Sequence, residues 1–139
     1  MPFVEFTKVD DAGEFAVIPD GVYRAVVDGI EERRTNAGDP MWRVTLRIFD
    51  PGLKLQGRRV FDTWAFSQKA LPRMKLIASR FGIDVHSDRE LTPLDFLGRE
   101  IEVEVRRRRK RAFPDREEIF VPFAGYRKVR LPGEEEVPF

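Results

Sequence analysis

Arg106, Arg107, Arg108, Arg109, Lys110 and Arg111 are six consecutive cations. A block this dense either meets phosphate groups or stays solvated. Further up the chain Arg43, Thr45 and Arg47 alternate with apolar residues, and Arg58 and Arg59 lead into a segment that contains Trp64. Guanidinium groups pair with phosphate oxygens and an aromatic ring stacks on any base, so cations beside a ring are what a sequence-tolerant groove for a single nucleic-acid strand requires. Stacking of this kind contributes about 1–3 kcal/mol per base. The bland alternative is a solvated strand face, a soluble basic loop and a tryptophan that belongs to the core.

Little else in the chain could do chemistry. No cysteine is present and His86 is the single histidine, so disulfide frameworks, thiolate zinc sites and histidine-based catalytic pairs are not expected. Asp39, Asp50, Asp62 and Asp84 sit in turns or strands, without the paired spacing that two-metal or general acid–base work needs. Acids at turns usually bond to nearby backbone instead. His86, beside Ser87 and Asp88, reads as a loop residue. The expectation is a non-enzyme with no metal and no cofactor.

With 139 residues and 42 % apolar content, the chain fits one domain with one core. No stretch reaches the roughly 18 apolar residues that a membrane span needs, and no basic segment followed by an apolar run opens the chain. A cytoplasmic location without membrane partners is expected. The formal charge of +1 conceals a basic body, because residues 1–133 hold all 25 Lys and Arg and all but three of the 24 acids.

The elements that must position these residues follow from periodicity. Residues 1–19 look like an arm that packs on the body. Val22 to Ile30 reads as a strand with Tyr23, Ala25 and Val27 on one face, and Glu31 to Arg34 carry it outward. Asn36, Gly38 and Pro40 mark a turn that closes a hairpin. Trp42, Val44, Leu46 and Ile48 then alternate with Arg43, Thr45 and Arg47, which puts Trp42 in the core and the cations outside. Gly57 to Ser67 supplies a third strand. If Asp62 must stay wet, Trp64 shares its outer face while Phe61, Thr63 and Ala65 point inward; a core position for Trp64 is the alternative.

Ser67 can cap a helix carrying Leu71, Met74, Ile77, Ala78 and Phe81 at helical spacing, with Pro72 in its first turn and Gly82 ending it. A short helical turn over Thr92 to Gly98 leads into a strand in which Ile101, Val103 and Val105 alternate with Glu100, Glu102 and Glu104. That strand runs into the basic block. Arg106, Arg108 and Lys110 continue the outer face, and Arg107, Arg109 and Arg111 cannot all be buried, so a cationic hairpin with Phe113 near its tip is expected to project. Ile119 to Val129 forms a last strand broken by Pro122 and Gly125. Three strands, one helix and two strands, joined by antiparallel hairpins, is the layout of the five-stranded OB-fold barrel, a small mostly-β fold with one helix that often binds oligonucleotides. The domain is expected over residues 20–130.

Beyond it, residues 131–139 form a separate tail. Glu134, Glu135, Glu136, Val137, Pro138 and Phe139 combine steering acids, a stiffening proline and a terminal ring that fills an apolar pocket while its carboxylate meets an arginine. This peptide resembles the extreme C-terminus of bacterial single-stranded DNA-binding proteins, which end in three aspartates, isoleucine, proline and phenylalanine. The body, Ile18 to Val129, is similar to a phage-encoded family of proposed single-stranded DNA-binding proteins long catalogued without assigned function. That resemblance rests on Pro19-Asp20-Gly21-Val22-Tyr23, on Asn36-Ala37-Gly38-Asp39-Pro40-Met41, on Gly57-Arg58-Arg59-Val60-Phe61-Asp62 and on Gly82-Ile83 after the helix. It implies a protein that coats single-stranded DNA in phage replication, recombination or repair, in the host cytoplasm, and recruits replication or recombination enzymes through its tail. An adaptor or decoy that uses the tail to occupy such enzymes is the rival. Homo-oligomerisation is left open.

Overall fold

A computed structural model of the chain describes residues 2–4, 18–50, 55–110 and 117–129. Its elements are β1 (Gly21–Arg34), β2 (Pro40–Ile48), β3 (Arg59–Ala65), α1 (Leu71–Arg80), a 3-10 turn (Pro93–Asp95), β4 (Glu100–Arg109), β5 (Glu117–Phe120) and β6 (Tyr126–Arg127). The fold is mostly β with one helix. All pairings are antiparallel, in the order β3-β2-β1-β4-β5, and β6 lies beside β4. Among the described residues no ladder joins β3 to β5, so the sheet is open there.

Alternation decides which face each strand buries. Ala25 and Val27 of β1, Trp42, Val44, Leu46 and Ile48 of β2, and Ile101, Val103 and Val105 of β4 are all buried. In the β1–β2 hairpin the Thr35 and Gly38 amides donate to the Asp39 and Thr35 carbonyls, and Gly38 takes φ +88°, a conformation that favours glycine. Six rings fill the space under the helix. Trp42 meets Phe66 and Phe96, and Trp64 meets Phe81, Phe96 and Tyr126, all edge to face with centroids 4.7–5.9 Å apart. Each such pair adds about 0.5–1.5 kcal/mol beyond its burial.

Two local expectations are corrected. Ser67 is not the helix cap: its carbonyl accepts from the Ala70 and Leu71 amides in a preceding turn, and α1 begins at Leu71 with Ala70 as N-cap. Pro72 sets that boundary. A helix capped at Ser67 would put proline beyond its first turn, where the missing donor and the ring clash cost about 3 kcal/mol. The last strand is likewise two, β5 and β6, separated by residues 121–125 around Pro122 and Gly125.

The third strand carries a larger correction. Val60 and Trp64 are its inward residues, Trp64 being 1 % exposed, while Phe61 is 48 % exposed. Asp62 lies on the inner side too, because partners meet it there. Arg73 of α1 donates from Nη2 to Asp62 Oδ2 at 2.8 Å, and the Tyr126 hydroxyl donates to the same oxygen at 2.6 Å. Trp64 Nε1 donates to the Tyr126 hydroxyl at 3.0 Å. Arg73 also reaches the carbonyls of Thr63, Val121, Pro122 and Phe123 at 3.1–3.4 Å. A carboxylate with a guanidinium and a hydroxyl in reach does not need water.

Asp62→Ala would leave the Arg73 cation, only 17 % exposed, without its carboxylate. A loss of about 3–5 kcal/mol in urea-unfolding free energy is expected. Burial, reinforced by the Asp62 carboxylate, pushes the Tyr126 hydroxyl well above the ordinary tyrosine range. The folded state therefore holds a proton that the unfolded chain releases above about pH 10, so stability declines as pH rises through that value. Tyr126→Phe should flatten this decline in urea midpoints measured between about pH 8 and pH 11.

Candidate nucleic-acid interface

The β2–β3 register places the outer residues in facing rows: Arg47 opposite Arg59, Thr45 opposite Phe61, and Arg43 opposite Thr63. Arg43, Arg47, Arg59 and Phe61 are all exposed. The Arg43 guanidinium lies 5.1 Å from the centre of the Phe61 ring. The ring beside these cations is thus Phe61, and Trp64 is withdrawn from the site because it packs in the core. Arg58 is half-buried and one residue out of step with Arg59, so the cation facing Arg47 is Arg59 alone.

A β-bulge in β1 adds an acid to this face. The register with β2 shifts between Val27 and Gly29, which leaves Asp28 as the extra residue and re-aims its side chain. Its oxygens lie 3.9 Å from Arg47 Nε and 3.8 Å from Arg59 Nε, beyond hydrogen-bond distance. Asp28 holds the two guanidiniums loosely between it and solvent.

The basic block arrives from the other end of the sheet. Pairing of β1 with β4 ends at Gly21 and Val105, so Arg106–Arg109 run past it and pair with β5. Asp20 accepts from the Arg107 amide at 3.0 Å at that edge. Arg106 faces Phe120 and Arg108 faces Glu118 in register. The Arg108 guanidinium sits 4.3 Å from the Phe120 ring centre and its Nε donates to Glu118 at 2.8 Å. Arg106 pairs with Glu104 at 2.8 Å, and Arg107 with Asp20 and Glu117 at 3.4 and 3.7 Å. Arg109 is exposed and Lys110 half-buried. Arg111, Phe113 and the peptide Glu134 to Phe139 lie outside the described residues.

The two cationic regions meet. A trough of about 390 Å³ runs between β3 and β5, with Arg43, Phe61 and Thr63 on one wall and Arg108, Glu118 and Phe120 on the other. Each wall presents one arginine held over one ring. Sequence reasoning found both arginines but missed Phe61, Glu118 and Phe120. The signal for Phe61 was its place one step after Val60, provided that Trp64 had been paired inward with Trp42, the residue it faces in the register.

Asp84 accepts from the His86 amide at 2.9 Å and the Ser87 hydroxyl at 3.3 Å, a local turn whose backbone bond lowers the Asp84 pKa. An apolar groove of about 1000 Å³ lies between α1 and residues 83–91, floored by Trp42, Phe66, Met74 and Leu91. Among the described residues no group of acids and His86 could hold a metal, and no helix is long and apolar enough to cross a membrane.

These features define a small mostly-β domain with an arginine-rich, ring-bearing cleft at the open edge of its sheet. Residues 5–115 match the family described as "Protein of unknown function (DUF669)", and the chain belongs to that family. No curated protein matches it. The matched span holds Arg43, Phe61, Asp62 and Arg73, whereas Glu118, Phe120 and Tyr126 lie beyond it.

Trp64→Ala should cost about 3–5 kcal/mol of stability, as buried aromatic truncations do. Phe61→Ala, at an exposed ring, should stay within about 1 kcal/mol. Parallel urea titrations check the pair, and equal losses would refute the assignment of faces.

Proposed function

We propose that this protein binds single-stranded DNA without catalysis, coats it with little overall sequence preference in phage replication, recombination or repair, and acts in the host cytoplasm. The observation that carries the reading is the trough in which Arg43 over Phe61 confronts Arg108 over Phe120. An exposed cation–ring contact contributes about 0.5–1 kcal/mol, and a base stacked on the same ring about 1–3 kcal/mol. An arriving base therefore displaces the guanidinium, which turns to the phosphate of the same nucleotide. Arg47 and Arg59 hold the next phosphates in competition with Asp28.

The strand order supports the reading, since β3-β2-β1-β4-β5 is that of an OB-fold barrel opened between its third and fifth strands. In this reading the tail, Glu134 to Phe139, docks replication or recombination enzymes onto the coated strand, and the domain and its tail act independently.

Fluorescence anisotropy of labelled oligo-dT across a salt series tests the binding. Five arginines, Arg43, Arg47, Arg59, Arg106 and Arg108, each meeting one phosphate, give a log–log salt slope of about −3.5. Arg47→Ala should flatten that slope by about 0.7. Phe61→Ala should weaken binding by about 1–3 kcal/mol. Tryptophan emission should show no stacking quench from the buried Trp64. Absence of oligonucleotide binding at low salt would sink the proposal. Deleting Val137 to Phe139 should preserve DNA affinity while abolishing partner capture; loss of every measurable activity on that deletion would favour the decoy.

A further inference from the structure

The trough contains two carboxylates in different states. Asp62 is committed: Arg73, the Tyr126 hydroxyl and the Thr63 amide all donate to it. Glu118 has one described partner, Arg108, and its side chain is 37 % exposed. An exposed ion pair of that kind is weak, so Glu118 has acceptor capacity to offer a ligand. Each carboxylate oxygen accepts more than one hydrogen bond, and the pair of oxygens suits two parallel donors.

Asp28 competes with phosphate from outside the trough, beside Arg47 and Arg59, whereas Glu118 lines the trough itself. An acceptor-only group there repels that anion. It fits a base edge that presents donors, and the bases differ sharply in this respect. Guanine carries N1–H and an N2 amino hydrogen side by side, pointing the same way. Cytosine and adenine each offer an amino group beside a ring-nitrogen acceptor. Thymine offers one N–H flanked by two carbonyl oxygens, which repel a carboxylate.

We propose that the β3–β5 trough is a one-nucleotide subsite selective for guanine, in which the base stacks on Phe61 and the Glu118 carboxylate accepts from N1–H and N2–H. This rests on the single-strand-binding reading above and adds one selective position to an otherwise tolerant path. The volume of about 390 Å³ is at the small end of ligand sites, as one heterocycle requires. Phe61 is the chosen platform because it is the more exposed of the two rings and its arginine lies farther off, 5.1 Å against 4.3 Å.

The test uses the full chain and labelled 15-mers of dT whose central residue is dT, dC, dA, dG or deoxyinosine, one guanine per strand being too few for quadruplexes. Central dG should tighten binding about tenfold over dT, the discrimination expected of one bidentate pair. Deoxyinosine, which lacks the N2 amine, should forfeit most of that gain without any change to the protein. Glu118→Gln should bring the dG to dT ratio close to one. Equal affinity for all five strands, or a dG preference that survives Glu118→Gln, overturns the subsite while single-strand binding stands. No binding to any of the strands overturns both.

Discussion

The hydrogen-bonded cluster of Asp62, Arg73, Tyr126 and Trp64 holds the two ends of the sheet at a fixed distance, and the rest of the structure depends on it. β3 and β5 exchange no ladder hydrogen bonds among the described residues. Side chains do that work instead: Asp62 and Trp64 come from β3, Arg73 from α1 and Tyr126 from β6. Arg73 extends the connection into the carbonyls of residues 121–123. Each polar atom in the cluster faces a partner, so the desolvation of a carboxylate and a guanidinium is offset at close range. Removing one member leaves its neighbours short of a bond where water has little access, so the members support one another.

A backbone ladder in the same place would have closed the sheet and erased the trough. Joining the edges through side chains beneath the strands leaves the outer surface parted, with room between Phe61 and Phe120. The same choice fixes the parity of β3. Once Asp62 is drawn inward to meet Arg73 and Tyr126, Trp64 must follow, and Phe61 and Thr63 must face out. Core chemistry on one side of the strand thereby sets which ring is available on the other.

Much of this was legible in the chain. The alternation of β1, β2 and β4 and the helical spacing of Met74, Ile77, Ala78 and Phe81 mark most of the core, because each is a local pattern; Leu71, first in that helical pattern, lies outside the core and is exposed. β3 failed because its parity is decided by Arg73 and Tyr126, eleven and 64 residues away from Asp62. No window around Asp62 contains that information. The bulge at Asp28 was hidden for a similar reason, being a property of the pairing of β1 with β2 rather than of either strand. The outward places of Arg43 and Arg47 follow from their alternation with Trp42, Val44, Leu46 and Ile48, and that of Arg59 from its position across the hairpin, yet their convergence with Arg108 depends on the topology that brings β3 beside β5.

The distribution of charge over the outer face gives the trough its direction. β4 carries Glu100, Glu102 and Glu104 along the stretch paired with β1 and then switches to Arg106 and Arg108 where it pairs with β5. Of these acids, Glu100 pairs with Arg24, and Glu104 with Arg106 and Arg127. Matched acids still offer a phosphate chain nothing to bind, whereas the cations of β2, β3 and the end of β4 do. If the face binds a single strand as proposed, this charge pattern directs the strand away from the β1–β4 centre and along the line from Arg47 and Arg59, over Phe61, into the trough and out past Phe120 and Arg108. Because exposed charges act over roughly a Debye length, about 8–10 Å near physiological salt, that steering is local. On the proposed reading, a strand held by the three β2–β3 arginines feels the second wall only where it lies within that distance of Arg108, which is why the two walls must flank one narrow trough.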